Sequence, residues 1–454
     1  MRVYEMAFWT DLNKTIKYAR RNGLRETYYA AIERLCDKVG TSYSYEAPTL
    51  ERLEEQRQQW AKRSPEEPLP VISFLVPLYQ PDPRFLREML ESVLAQTYGN
   101  WELILADGSD SEAAANMAAY PQDARIRYKA LGANGGISRN TNAAAALAEG
   151  DYIALLDYDD LLTPDAVFEI THKIQRTHAE ILYSDEDKCD ADARTFFEPN
   201  RKPDFNPDYF LSNNYICHLT VMKRELFLAL GLRPEYDGAQ DYDLLLRAPW
   251  SGIVHIGKVL YHWRTHTAST AGNPGSKNYA YEAGKAALKE YFRTCHMDAE
   301  VLDSRHNGFY RVEYHPDIFS QRREVGVVGG KLVNRSHRIV GGMMDENGRV
   351  EFQGMHEMES GPMHRADTMQ DAVAVDVRCM QIRDELRPLY QTVFNASYEG
   401  HVMRQGDDLK ERSLEFCRQV RQRGYLVVWD PSMTKVAMTK MVGTKAGGHG
   451  DSDG

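Results

Sequence analysis

From residue 71 onward, short unbroken apolar runs alternate with stretches of helical spacing. Residues 71–77, 101–106 and 152–156 are nearly continuous in apolar side chains and bounded by polar ones. That is the pattern of strands buried on both faces of a parallel sheet. Between the first two runs, Phe85, Leu86, Met89, Leu90 and Val93 fall on one side of a helix. A short strand is expected at 126–129, after which Asn134-Gly135-Gly136-Ile137-Ser138-Arg139-Asn140 opens an Ala-rich helix. Strand, helix, strand, helix, strand predicts an α/β unit that takes its ligands at the carboxyl ends of its strands. Ahead of it, residues 1–66 read as helical. Leu12, Ile16, Tyr18 and Ala19 form one apolar stripe, Gly23 stops it, and Tyr28, Ala31, Ile32 and Leu35 form a second. A charged third helix follows near 50–61, then a linker, Ser64-Pro65-Glu66-Glu67-Pro68.

The chemistry gathers where the 152–156 run ends, at Asp157, Asp159 and Asp160. In an extended chain Asp157 and Asp159 point the same way. Two hard oxygen ligands side by side suit Mg²⁺ or Mn²⁺, ions that reach proteins through one or two carboxylates plus substrate phosphates. Taken alone, an Asp-x-Asp is more often a pair of solvated acids; its place at the strand end favours a metal–diphosphate site. The Gly135-Gly136 pair allows close backbone approach, and the helix N-terminus beside Arg139 favours phosphate.

Composition narrows the picture further. The 454 residues allow two or three domains, and the formal charge of -11 argues against a nucleic-acid partner. No run approaches the ~18 apolar residues of a membrane span. Asp11 and Lys14 interrupt any N-terminal apolar core, so no secretory leader is expected. Six scattered cysteines without a Cys-x-x-Cys fit free thiols in a reducing cytosol. Lys14, Lys17, Arg20 and Arg21 form a basic face that reads first as solvated helix surface and second as contact with an anionic membrane.

Pro77 and Tyr79, Ser92-Val93-Leu94-Ala95-Gln96-Thr97-Tyr98, Trp101-Glu102-Leu103, Asp107, Arg139-Asn140 and Asp157-Tyr158-Asp159-Asp160 together resemble family 2 glycosyltransferases of the GT-A fold. Tyr183-Ser184-Asp185-Glu186-Asp187-Lys188, Lys202-Pro203-Asp204, Asn214-Tyr215-Ile216-Cys217-His218-Leu219, Gln240-Asp241-Tyr242-Asp243 and Tyr261-His262-Trp263-Arg264 resemble a bacterial subset that builds O-antigens, capsules and rhamnose-rich glycans. Where such enzymes often carry Asp-Asp-Gly-Ser, this chain has only Asp107-Gly108-Ser109. The resemblance implies a Rossmann-like nucleotide-binding sheet with helices on both faces, a UDP- or dTDP-linked sugar donor and inverting transfer to a hydroxyl of a glycan or lipid-linked glycan. It implies that Asp159 ligates Mn²⁺ or Mg²⁺ and that Asp157 contacts ribose or metal. It puts Asp107, Pro77 and Tyr79 around the base, and groups Asn134 and Arg139 with the donor. Asp241, at a helix start that favours its charged form, stands as general base, with a plain helix cap as the alternative. His262 stands as metal ligand or diphosphate contact, and His266 ranks below it. Gln240, Arg264 and Asp185 are diphosphate or acceptor contacts. The acids 185–187 are expected in a loop, paired with Lys188 or Arg201, and His218 as a satisfied core histidine. Residues 265–275 suit a lid.

The expected domains are a helical region 1–66, a GT-A domain 67–305, a degenerate glycosyltransferase-like region 306–442 that shapes the acceptor groove or makes a homodimer, and a disordered tail 443–454. The expected location is the cytoplasm, with peripheral association at the inner membrane face. A catalytically inactive sugar-nucleotide or glycan binder remains the alternative. A nucleotidyltransferase fits less well, because Pro77-Leu78-Tyr79-Gln80 stands where a Gly- and Arg/Lys-rich loop is wanted.

Overall fold

The computed structural model describes residues 15–16, 18–40, 43–62, 69–109, 120–266, 278–398 and 408–437. The lid segment, the linker, Lys14, Lys17 and the tail lie largely or wholly outside the described residues. The chain divides into two compact units, Met1–Arg322 and Arg323–Gly454.

In the first unit α1 (Leu24–Gly40) follows Gly23, whose φ of +88° breaks the helix as the sequence predicts. Next come α2 (Leu50–Ala61), capped by Thr49, β1 (Ile72–Leu78), α3 (Pro83–Leu94), β2 (Trp101–Asp107), β3 (Ile126–Ala130) and α4 (Ile137–Ala145). After these follow β4 (Tyr152–Leu155), β5 (Leu161–Leu162), α5 (Ala166–Thr177), β6 (Ile181–Cys189), β7 (Phe196–Asn200) and β8 (Thr220–Lys223). The unit closes with α6 (Gln240–Leu246), β9 (Ile253–Arg264), α7 (Asn278–Thr294), β10 (Ala299–Asp303) and β11 (Tyr310–Tyr314).

The central sheet runs β3-β2-β1-β4-β8-β6-β9-β5, with β7 on β6. β1, β2, β3 and β4 are mutually parallel, as are β6 and β9, while β8 is antiparallel to both β4 and β6. Two antiparallel steps restore direction, so β4, β6 and β9 all end at one edge and β8 begins there. Both faces are covered. Ile72, Phe74 and Val76 pack with Leu86, Met89, Leu90 and Val93 of α3 and Ile170 of α5. Leu75, Ile104 and Ile153 face Ala144 of α4, Leu244 of α6 and Leu288 of α7. Each such fully buried side chain contributes about 1.5–3 kcal/mol.

Two expectations are corrected here. Acids 185–187 lie in β6, not in a loop. The domain boundary falls after Arg322, not at 305/306, because β11 pairs with β10 and its Tyr310, Val312 and Tyr314 join the first unit's core. Residues 43–62 likewise belong to this unit. Thr97 donates to Gln56 at 2.8 Å, and the Trp60 ring meets Tyr98 edge-on at 3.7 Å.

The second unit is built on β12 (Val325–Val333), buried throughout, and β13 (Leu426–Val436), its parallel neighbour. α8 (Arg387–Phe394) and α9 (Leu409–Gln422) cover it, with Phe394 and Phe416 in the core. No helix among the described residues is long and apolar enough to cross a membrane. The five described cysteines are free.

Leu182 sits fully buried in β6. Leu182→Ala should cost about 2–5 kcal/mol through lost contacts and a residual cavity. Urea unfolding reads this directly, and an unchanged midpoint would contradict the burial described.

Candidate active site

Each side chain of interest arrives at the edge where the parallel strands end. Asp157 lies two residues beyond β4 and makes no side-chain hydrogen bond among the described residues. Tyr158 and Asp159 then form a turn, so the extended alternation expected for Asp157 and Asp159 does not hold. Asp159 turns to His266, whose Nε2 is 2.9 Å from its Oδ2. Asp160 goes inward, accepting from the Tyr261 hydroxyl at 2.5 Å and from the Arg264 N–H at 2.7 Å.

The segment entering β8 brings in His218, which the sequence reading gave as a satisfied core histidine, and sets it beside Asp157. The ring stacks flat on Tyr261, 4.6 Å between centroids at 4°. Its Nδ1 is 3.1 Å from Glu186 Oε2, and its Nε2 is 3.8 Å from Asp157 Oδ2. Glu186 is itself buried, 3.4 Å from the Lys202 ammonium and accepting from Asn200 at 3.0 Å. Lys202 also donates to the carbonyls of Ile216 and His218, which ties this loop down.

Asp241 stands in the first turn of α6, where the Asn214 amide donates to it at 2.7 Å. Gly238, at φ +97°, leads into this helix. A Cβ there would sit 2.5 Å from the Tyr279 ring, so only glycine fits. Asp243 on the same helix is buried under Arg233 and Arg247 and is structural.

The charges of these acids reach one another. Asp157 is pushed up to about 6, first by desolvation and then by Asp159 and Asp241, with His218 pulling the other way. The 43% of its side chain still open screens part of that push. Asp160 is held well above the carboxylate range by burial, then by Asp159 and Asp157. Desolvation would raise Glu186 too, but Lys202, His218 and Asn200 together bring it down to about 2. Burial alone would lower His218; Cys217 and Glu186 raise it well above its ordinary value. Hard carboxylates that repel one another beside an imidazole are a donor set that fits Mn²⁺ or Mg²⁺.

The other expected residues divide. Tyr79, half exposed, and Asp107 follow β1 and β2 at the same edge. Pro77 pairs with Ala106 just before them. Asp107 accepts from the Ser109 N–H and the Tyr128 hydroxyl, each at 2.8 Å. Arg139 is exposed and without a polar partner among the described residues. Asn134 accepts from the Gly136 N–H at 3.0 Å.

The phosphate expectation at the start of α4 is corrected. Asp237 reaches across to accept from the Ser138 N–H and hydroxyl, so a carboxylate already caps that terminus. Arg264 is fully buried and serves the acidic turn instead of diphosphate. It donates to the Asp159 carbonyl at 2.6 Å and the Ala191 carbonyl at 2.8 Å, and pairs with Glu88. His262 faces Asp187 at 2.5 Å between the rings of Tyr45 and Phe196, so this nitrogen is already engaged. Asp185 is occupied by Arg201, His255 and the Lys202 N–H. Gln240 accepts from the Gly238 N–H within its own loop.

Residues 73–231 match the family described as Glycosyl transferase family 2. The putative colanic acid biosynthesis glycosyl transferase WcaA of Escherichia coli (strain K12) is 30% identical over 207 residues, 41% of this chain and 73% of that protein. The chain belongs to glycosyltransferase family 2. It is also similar to the O-antigen biosynthesis protein RfbC of Myxococcus xanthus, 35% identical over 254 residues, 54% of this chain and 20% of that one. An uncharacterized Sinorhizobium fredii protein, y4gI, is 46% identical over 231 residues, 49% of this chain and 25% of that one. The chain thus spans a quarter or less of these last two relatives. The central sheet, with its parallel strands and its helices on both faces, is the GT-A fold. The family match holds Tyr79, Asp107, the acidic turn and His218, while Asp241, His262 and His266 lie beyond it.

Because Asp157 stands above its ordinary 3.8 when folded, the folded chain binds an extra proton between those two values. Its contribution therefore falls as pH rises from about 4 to about 6. Asp157→Asn should flatten this decline and melt above wild type near neutral pH in EDTA. Thermal melts across that range decide, and a lower-melting variant would mean the carboxylate is net stabilising.

Proposed function

We propose that this chain is a metal-dependent, inverting glycosyltransferase moving a sugar from a UDP- or dTDP-linked donor to a hydroxyl of a growing bacterial surface glycan. The observation that carries this reading is that Asp241 lies near enough to Asp157 for its charge to help push that carboxyl up. Family membership supports the reaction class. The relatives named for O-antigen and colanic acid biosynthesis support a polysaccharide acceptor.

On this reading Asp107 accepts a hydrogen bond from the pyrimidine, Tyr79 stacks on it and Pro77 frames it. Arg139, free and exposed, pairs with diphosphate oxygens. Asp157 and Asp159 hold Mn²⁺ or Mg²⁺, which when bound neutralises the charge gathering on the departing nucleoside diphosphate. Asp241 takes the proton of the attacking hydroxyl. It stands in the first turn of α6, and the Asn214 amide fixes one of its oxygens so that the other faces the acceptor.

A ligand bound only by the folded state raises its melting temperature. UDP or dTDP with Mn²⁺ should do so, and Asp159→Ala should remove the Mn²⁺-dependent part. A shift with purine nucleotides alone would overturn the donor. Asp241→Asn should keep the donor-induced shift while transfer falls about 10²–10⁴-fold; transfer near the wild-type rate would exclude it as base.

A further inference from the structure

We propose that His218 supplies the nitrogen ligand to the divalent cation at the acidic turn. This rests on the metal-dependent reading above. It replaces His262 with a residue that neither sequence nor family match singles out.

Three features carry it. First, the segment entering β8 brings His218 beside Asp157. An Asp157 oxygen, an Asp160 oxygen and a His218 nitrogen all lie within 4.8 Å of one another. The 3.8 Å between His218 Nε2 and Asp157 Oδ2 is too long for a hydrogen bond. It matches the separation of about 3–4 Å between two atoms that each sit about 2.1 Å from one ion. Second, Nδ1 faces the buried Glu186 carboxylate at 3.1 Å. A ligating histidine characteristically gives its other ring N–H to such a carboxylate, which fixes the tautomer and aims the free nitrogen. Lys202 and Asn200 hold Glu186 in turn. Third, the flat stack on Tyr261 fixes the ring plane, and Tyr261 is the residue that donates to Asp160. One aromatic thus positions both the imidazole and the acid beneath it. Asp160 has a donor on each oxygen and acts as the support, leaving Asp157 as the carboxylate of this cluster that faces the ion.

The other nearby imidazoles are committed elsewhere. His262 Nδ1 faces Asp187 with its ring between Tyr45 and Phe196. His266 Nε2 sits on Asp159 at hydrogen-bond distance. Cys217 Sγ lies beside His218, 3.5 Å from Nδ1 and 3.7 Å from Nε2.

The test uses Mn²⁺ as the probe on the full chain, with and without UDP, and needs no turnover. Electron spin-echo modulation reports nitrogen bound to Mn²⁺, and titration gives its affinity. Wild type should show an imidazole nitrogen that vanishes in His218→Gln and survives in His262→Gln and His266→Gln. His218→Gln should also weaken Mn²⁺ binding about 10–100-fold. A nitrogen signal kept in His218→Gln overturns the assignment. Mn²⁺ bound with oxygen ligands alone overturns it too, while leaving the metal-dependent reading intact. Wild type that binds no Mn²⁺ even with UDP sinks both. Should His218→Gln fail to fold, the double variant His262→Gln/His266→Gln decides: a retained signal supports His218 and a lost one overturns it.

Discussion

β8 runs against its neighbours β4 and β6, and so begins where they end. Backbone pairing of this kind leaves little freedom, because a slip of one residue would turn every side chain to the opposite face. The segment entering β8 therefore arrives beside the acidic turn, bringing His218 against Asp157 and Asn214 against Asp241. His218, 61 positions from Asp157 in sequence, comes beside it because one strand is reversed.

The acids at this edge fall into two kinds. Glu186 has Lys202, Asp243 has two arginines, and the Asp159 carbonyl and Asp160 carboxylate are braced by Arg264. Buried charges persist only when paired or hydrogen-bonded, and these are. Asp157 and Asp241 have no Lys or Arg partner among the described residues, only an imidazole and an amide. Charge left uncompensated by the protein marks where a ligand's charge is needed. The division between scaffold and site is thus visible in which carboxylates the fold has already neutralised.

The fold was legible where burial on both faces made the pattern continuous. β1, β2 and α3 lie where the apolar runs and the spacing of Phe85 to Val93 predicted, and Gly23 breaks the first helix as expected. Acids 185–187 looked like a loop because charge normally reads as exposure. They are strand residues because partners distant in sequence, among them Lys202, His255 and His262, meet them one by one. Local glycine chemistry suggested an anion site at α4, but Asp237, far along the chain, occupies it. His218 read as a satisfied core histidine for the same reason: Asp157, Glu186 and Tyr261, which meet it, are distant in sequence and no local spacing records them. The places of Asp157, Asp241 and Asp107 were legible because a strand end or helix start is itself a local feature.

The residues ahead of the family-matched span are woven into its interior. Trp60 lies on Tyr98, Gln56 accepts from Thr97, the Tyr43 hydroxyl donates to Asp187 at 2.7 Å, and the Tyr45 ring closes over His262. A fragment cut at the edges of that span would open wet gaps beside the very strands that present the acids. The transferase module is therefore not portable as its homology footprint. Any graft or chimera must carry residues 43–62, α2 among them, with it.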